Sequence, residues 1–116
     1  MQQLFQTTTV DAVQVIRLEL PEGLDSDEFD RLNDSLLTEV AQRPADSWVV
    51  DLSVIQYAGS SLLGLMVNIR QRVKQSGGRL VLCGLSDVLL QIFQTCSLER
   101  LFVIRRTVTE AVERAR

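Results

Sequence analysis

Two short apolar runs, Trp48-Val49-Val50-Asp51-Leu52 and Arg79-Leu80-Val81-Leu82-Cys83, enclose a stretch in which Leu62, Leu65, Met66, Ile69 and Val73 recur at helical spacing. This strand–helix–strand pattern constrains the fold more than any other feature of the chain. The first run is β-branched with an apolar centre, as expected of a central strand whose faces are both covered. The enclosed helix opens at Gly59-Ser60 and stops at Gly77-Gly78. Arg70, Arg72 and Lys74 gather in its C-terminal half, where the helix dipole favours cations.

The rest of the chain repeats the alternation. Val13, Val15, Leu18 and Leu20 lie at period two, with Ile16 breaking the pattern. That predicts a half-buried strand, paired with residues 4–9 across a turn at Val10-Asp11 and stopped by Pro21 and Gly23. Residues 25–42 predict a helix capped by Asp25 or Ser26, with Asp27 and Glu28 in its first turn and an apolar stripe of Phe29, Leu32, Leu36, Leu37 and Val40. Ser86-Asp87 opens another helix carrying Val88, Leu89, Ile92 and Phe93, and residues 101–104 form a last short strand. Thr107, with Glu110 three residues later, has the spacing of a capping box for a closing helix. The expected class is α/β: a mixed sheet with an opening hairpin and about four helices. With 116 residues and 46% hydrophobic content, the chain has material for one core, hence a single domain over 1–116.

Charge and composition narrow the function. Residues 1–51 carry eleven acids and three bases, whereas residues 52–116 carry four acids and nine bases. Overall acidity and few aromatics argue against nucleic acid as a partner, and a two-signed surface suits docking onto another protein. No apolar run is long enough to cross a bilayer, and the start lacks the basic and apolar segments of a secretory signal. Cys83 and Cys96, each within apolar sequence and without CxxC spacing, are expected to be buried free thiols of a cytoplasmic protein. There is no histidine, no phosphate-binding glycine loop and no nucleophile–base pattern, so neither an enzyme, a metal nor a cofactor is expected.

Residues 51–64, Asp-Leu-Ser-Val-Ile-Gln-Tyr-Ala-Gly-Ser-Ser-Leu-Leu-Gly, resemble the STAS domain, the fold of bacterial anti-sigma factor antagonists. That family's pattern runs Asp-Leu-Ser, a few apolar residues, then Asp-Ser-Ser-Gly-Leu-Gly at a helix N-terminus. The resemblance continues through Gly77-Gly78-Arg79-Leu80, Cys83-Gly84-Leu85-Ser86, residues 98–102 and Glu110-Ala111, and Gly23-Leu24-Asp25 falls where the family carries a loop Asp. It implies a single STAS domain that binds an anti-sigma factor or serine kinase, as a monomer or weak homodimer. It also implies that the first Ser of the motif, Ser60, accepts a phosphate that switches binding off. The partner-binding residues carried over are Asp25, Tyr57, Gly59, Ser60, Ser61 and Leu62, on a surface running from Tyr57 to about Arg70 with its rim near Asp25. Gly59 stands where the family has Asp, and Leu62 where it has Gly. Apart from the resemblance, Ser60 also reads as a plain helix cap, worth about 1 kcal/mol. Ser61 reads as a second capping or packing residue, Gly59 as a permissive backbone position, and Asp25 and Asp51 as cap and strand-end residues. A STAS interaction or scaffold module without phosphorylation is the alternative function.

Overall fold

The computed structural model describes residues 4–44 and 46–116. Among them it shows a five-stranded mixed sheet and four α-helices. The strands β1 (Phe5–Val10), β2 (Val13–Leu18), β3 (Ser47–Asp51), β4 (Arg79–Cys83) and β5 (Val103–Arg105) lie side by side in chain order. β1 and β2 form the antiparallel hairpin, and β2 to β5 are parallel. The helices are α1 (Ser26–Ala41), α2 (Ser60–Gln75), α3 (Asp87–Thr95) and α4 (Val108–Ala115).

Period-two alternation decides which face each strand residue serves. Ile16, Leu18, Trp48, Val50, Leu52 and Leu82 point into the larger core, together with the stripes of α1, α2 and α3. Val13, Val15, Val49, Val81 and Cys83 point the other way and are covered by Ala111, Val112 and Ala115 of α4. β2 is therefore buried on both faces, with only Arg17 exposed, rather than half-buried as its sequence implied. Ile16 does not break a pattern; it belongs to the second apolar face. The small side chains of Ala111 and Ala115 let α4 approach the sheet closely.

Local signals set the helix ends. Asp25 caps α1 with a complete capping box: the Glu28 N–H donates to Asp25 Oδ1 at 2.8 Å, and the Asp25 N–H donates to Glu28 Oε1 at 3.3 Å. Ser86 and Thr107 cap α3 and α4 by accepting from Leu89 and Glu110. For Thr107 only this half of the expected box forms. The hairpin turn lies one residue later than expected: Asp11 and Ala12 hold the left-handed conformation, with φ of 50° and 67°. Two consecutive left-handed residues match the right-handed twist of the strands they join. Val88, expected on the α3 stripe, is exposed, while Leu89 and Phe93 bury that face.

The two thiols part company. Cys83 is buried beneath α4, but Cys96 is exposed. Helical spacing puts Cys96 on the stripe of Leu89 and Phe93, yet α3 ends at Thr95 and Ser97 turns left-handed, with φ 57°. Leu98, and not Cys96, then packs against the core. Burial, with the Asp51 carboxylate adding to it, pushes the Cys83 thiol up to about 12. A native sample is thus expected to consume one equivalent of a thiol reagent, and a guanidinium-unfolded sample two; two in the native state would contradict the burial of Cys83. The folded-state value lies above the ordinary 9.0, so the neutral thiol's contribution to stability is whole below pH 9 and lost as pH rises towards 12. Cys83→Ala should flatten that alkaline decline in thermal melts, relative to the unchanged chain.

Candidate functional site

The sheet's parallel strands all deliver their C-terminal ends to one edge, where connecting loops gather. The loop after β2 and the loop after β3 meet there, because β2 and β3 are parallel neighbours. Between them opens a cleft of about 720 Å³, lined by Leu20–Leu24, Phe29 of α1, Val54–Tyr57 and Gly59–Leu62 at the start of α2. Its lining is mixed: Leu20, Leu24 and Phe29 supply apolar surface, Gln56, Ser60 and Ser61 polar surface, and Glu22 is its one charged side chain.

Asp51 starts the turn that aims the second loop. Its carboxylate, buried at the end of β3, accepts the Ser53 N–H at 2.9 Å. Ile55 and Ala58 anchor the following segment in the core. Between these anchors Val54 and Tyr57 point outwards, 43% and 73% exposed. Two large apolar side chains held clear of the core at the mouth of a cleft are a local exception to the burial of such groups.

Ser60 is the first residue of α2, not its cap. The cap is Gly59, in extended conformation (φ −93°, ψ −174°), whose carbonyl accepts the Leu63 N–H at 3.1 Å. No side chain caps α2 and no acid stands in its first turn, whereas Asp25, Ser86 and Thr107 cap the other helices. Ser60 and Ser61 are exposed on the cleft's edge. The helix terminus therefore offers unpaired N–H groups, partial positive charge and a free hydroxyl at one spot. Phosphate added to Ser60 would be electrostatically tolerated by this domain.

The remaining expected residues divide. Tyr57, Gly59, Ser60 and Ser61 are brought together at the cleft. Asp25 lies beside it, exposed, with its carboxylate occupied in the α1 capping box. Leu62, also expected as a contact residue, lines the cleft but is only 4% exposed, because the α2 stripe begins with it and packs it in the core. Arg70, at the far limit of the expected surface, lies more than two turns along α2 and donates from Nε to the Leu101 carbonyl at 2.7 Å. Of the first wall, the sequence points only to the rim near Asp25; Leu20–Glu22 and Phe29 are additions from the structure. Their signal was the Pro21–Gly23 stop after a strand, which becomes informative once β2 is known to run parallel beside β3.

Gly59 has room for a side chain. A Cβ there would meet only the Tyr57 ring, at 3.9 Å, with no positive φ to oppose it. Gly59→Asp is accordingly expected to stabilise the fold by about 0.5–1 kcal/mol, through an N-cap bond and the helix dipole. The check is a urea unfolding midpoint, with Gly59→Ala as the variant expected to gain nothing.

The comparisons with known proteins agree with this architecture. The family model for the STAS domain matches residues 5–111. Among curated proteins none matches the chain. Among solved structures, an anti-sigma-factor antagonist (STAS) domain protein from Planctomyces limnophilus is similar over 96% of this chain and 97% of its own, at 22% identity and a TM-score of 0.79. An anti-sigma factor antagonist from Mycobacterium paratuberculosis is similar over 96% and 92%, at 17% identity and 0.79. The Bacillus cell fate determinant SpoIIAA in its phosphorylated form is similar over 97% and 99%, at 24% identity and 0.68. These likenesses establish a shared fold, and the match over 5–111 establishes more: the chain belongs to the STAS domain family.

Proposed function

We propose that this chain is an anti-sigma factor antagonist: it docks onto an anti-sigma factor or serine kinase through the cleft at the start of α2, and phosphorylation of Ser60 ends that docking. The observation that carries the reading is an exposed, uncapping hydroxyl on the first turn of α2, beside a partly apolar cleft with Tyr57 and Val54 at its mouth. Unphosphorylated, this face presents apolar surface and neutral hydroxyls, the kind of patch that a partner can desolvate cheaply. Phosphorylated, it presents a charge of about −1.5 to −2 that the partner would have to bury. The role is regulatory and not catalytic, in the cytoplasm, with a protein and neither nucleic acid nor a membrane as partner, and with the chain acting as a monomer or weak homodimer.

The test is intact mass after incubation with the host's anti-sigma kinases and ATP. One phosphate is expected, and none on Ser60→Ala. The absence of any mass gain, with affinity capture still recovering a partner, would favour the second reading: a constitutive STAS scaffold. Gly59 is the observation on that side, since it leaves the motif without the acidic residue the family carries there.

A further inference from the structure

The two edges of the sheet are built differently. β5 is three residues long, runs into Arg105 and Arg106, and has the Arg105 guanidinium donating to the Ile104 carbonyl at 2.9 Å. Shortness and charged side chains are common defences of an edge strand against pairing with another chain. β1, at the other edge, has neither. It runs for six residues, Phe5–Val10, with no proline, no bulge and no charged side chain, and Gln6 to Val10 are all exposed.

Which backbone groups of β1 are free follows from the hairpin register. The Glu19 N–H donates to the Leu4 carbonyl at 2.9 Å, so these two residues form a hydrogen-bonded pair of the antiparallel ladder. Alternation then commits Gln6, Thr8 and Val10 to β2, and turns the N–H and C=O groups of Phe5, Thr7 and Thr9 outwards. This outward row complements a second copy of itself. A two-fold axis through Thr7, perpendicular to the sheet, sets Thr7 against Thr7 and Phe5 against Thr9, with about six inter-strand hydrogen bonds. Thr7 is the middle of the three outward residues, so an axis one residue away leaves one of them unpaired within the strand. Threonine pairs across strands are favourable, and no charge stands on β1 to repel its copy. The charges nearest the seam are already paired, Asp11 with Arg116 at 3.7 Å and Arg17 with Glu19 at 3.7 Å.

We propose that the chain forms a two-fold homodimer by antiparallel pairing of β1 with β1 of a second copy, which makes one continuous sheet of both. A seam one strand wide buries well under the roughly 1,200 Å² of a stable interface, so the dimer is weak, with a dissociation constant of about 10–100 μM. The axis reverses one sheet relative to the other. The clefts beside Ser60 therefore open at opposite ends of the joined sheet, and each copy keeps its own docking face clear. The pairing needs neither phosphorylation of Ser60 nor the docked partner.

The experiment is sedimentation equilibrium of the whole chain from about 1 to 500 μM. A monomer–dimer equilibrium is expected and nothing larger, because a two-fold contact closes on itself. Thr7→Pro removes an N–H that faces the seam and none that faces β2, so the chain should stay folded by circular dichroism and lose the dimer. Thr7→Lys sets two ammonium groups at the axis and should weaken the dimer about tenfold or more, with recovery in about 1 M salt. Val88→Lys, the same charge at an exposed site on α3, should leave it within about twofold. Thr7→Lys mixed with Thr7→Glu should pair in preference to either alone, because this register brings residue 7 against itself. A chain still monomeric at about 500 μM, a dimer that tolerates Thr7→Lys as well as Val88→Lys, no preference for the mixed pair, or growth beyond the dimer would each overturn the proposal. If Thr7→Pro fails to fold, the lysine and glutamate variants decide. Ser60→Asp should dimerise as the unchanged chain does, so this result and the phosphorylation test stand or fall separately.

Discussion

Ser60→Asp is expected to weaken partner binding by about 100-fold while leaving the melting temperature equal or slightly raised. The two effects have opposite signs because the same charge meets two environments. Within the domain, a carboxylate on the first turn of α2 faces unpaired N–H groups and the positive end of the helix, in a turn that has no acid of its own. That is worth about 0.3–1 kcal/mol in favour of folding. Across the interface, the same carboxylate must leave water beside the apolar side chains of Leu20, Leu24 and Phe29 and near a like charge, Glu22. An unpaired charge so buried costs several kcal/mol. Ser60→Asn separates charge from size: it is near Asp in volume, so it should lose much less affinity. Calorimetric titration against the kinase identified by the mass experiment, with melts of each variant, gives both quantities. A Ser60→Asp protein that binds as tightly as the unchanged chain would sink the switch, and one that binds weakly because it melts early would sink the docking-face argument.

What was legible beforehand follows from range of interaction. The caps at Asp25, Ser86 and Thr107 are local, each a side chain accepting from an N–H three residues on, and were readable from spacing. The strand–helix–strand unit from Trp48 to Cys83 was likewise carried by periodicity. Features that depend on distant parts of the chain were not. The second buried face of β2 exists because α4, nearly a hundred residues later, closes over Val13 and Val15. The cleft beside Ser60 needs a loop after β2 to meet one after β3, and nothing local states that those strands are neighbours. Cys96 was misplaced for a related reason. It stands at an element boundary, where one residue's difference in helix end exchanges core for solvent.

The second large effect concerns Gly84, which shapes the docking face without touching it. Gly84 follows β4 with φ +75°, and a Cβ there would lie 2.9 Å from Asp51 Oδ1, 2.9 Å from Ser53 Cβ and 3.0 Å from the Ser53 N. These atoms form the turn that launches the 52–59 segment towards Ser60, through the bond from the Ser53 N–H to the Asp51 carboxylate. Gly84→Ala therefore meets three costs: the left-handed conformation, about 1 kcal/mol; overpacking, about 1–3 kcal/mol; and strain on a charge-assisted hydrogen bond, about 1 kcal/mol. A loss of about 3–5 kcal/mol is expected, a large fraction of a small domain's stability and roughly 10–20 °C in melting temperature. Gly77 supplies the control, because its φ is +83° but a Cβ there would meet nothing within 4 Å. Gly77→Ala should cost only the backbone share, about 1 kcal/mol. If the two variants melt together, crowding at the Asp51–Ser53 turn contributes nothing, and the turn is not what holds the Ser60 loop in place. If Gly84→Ala alone melts early and loses partner affinity beyond its unfolded fraction at the assay temperature, the Asp51–Ser53 turn and the docking face form one mechanical unit.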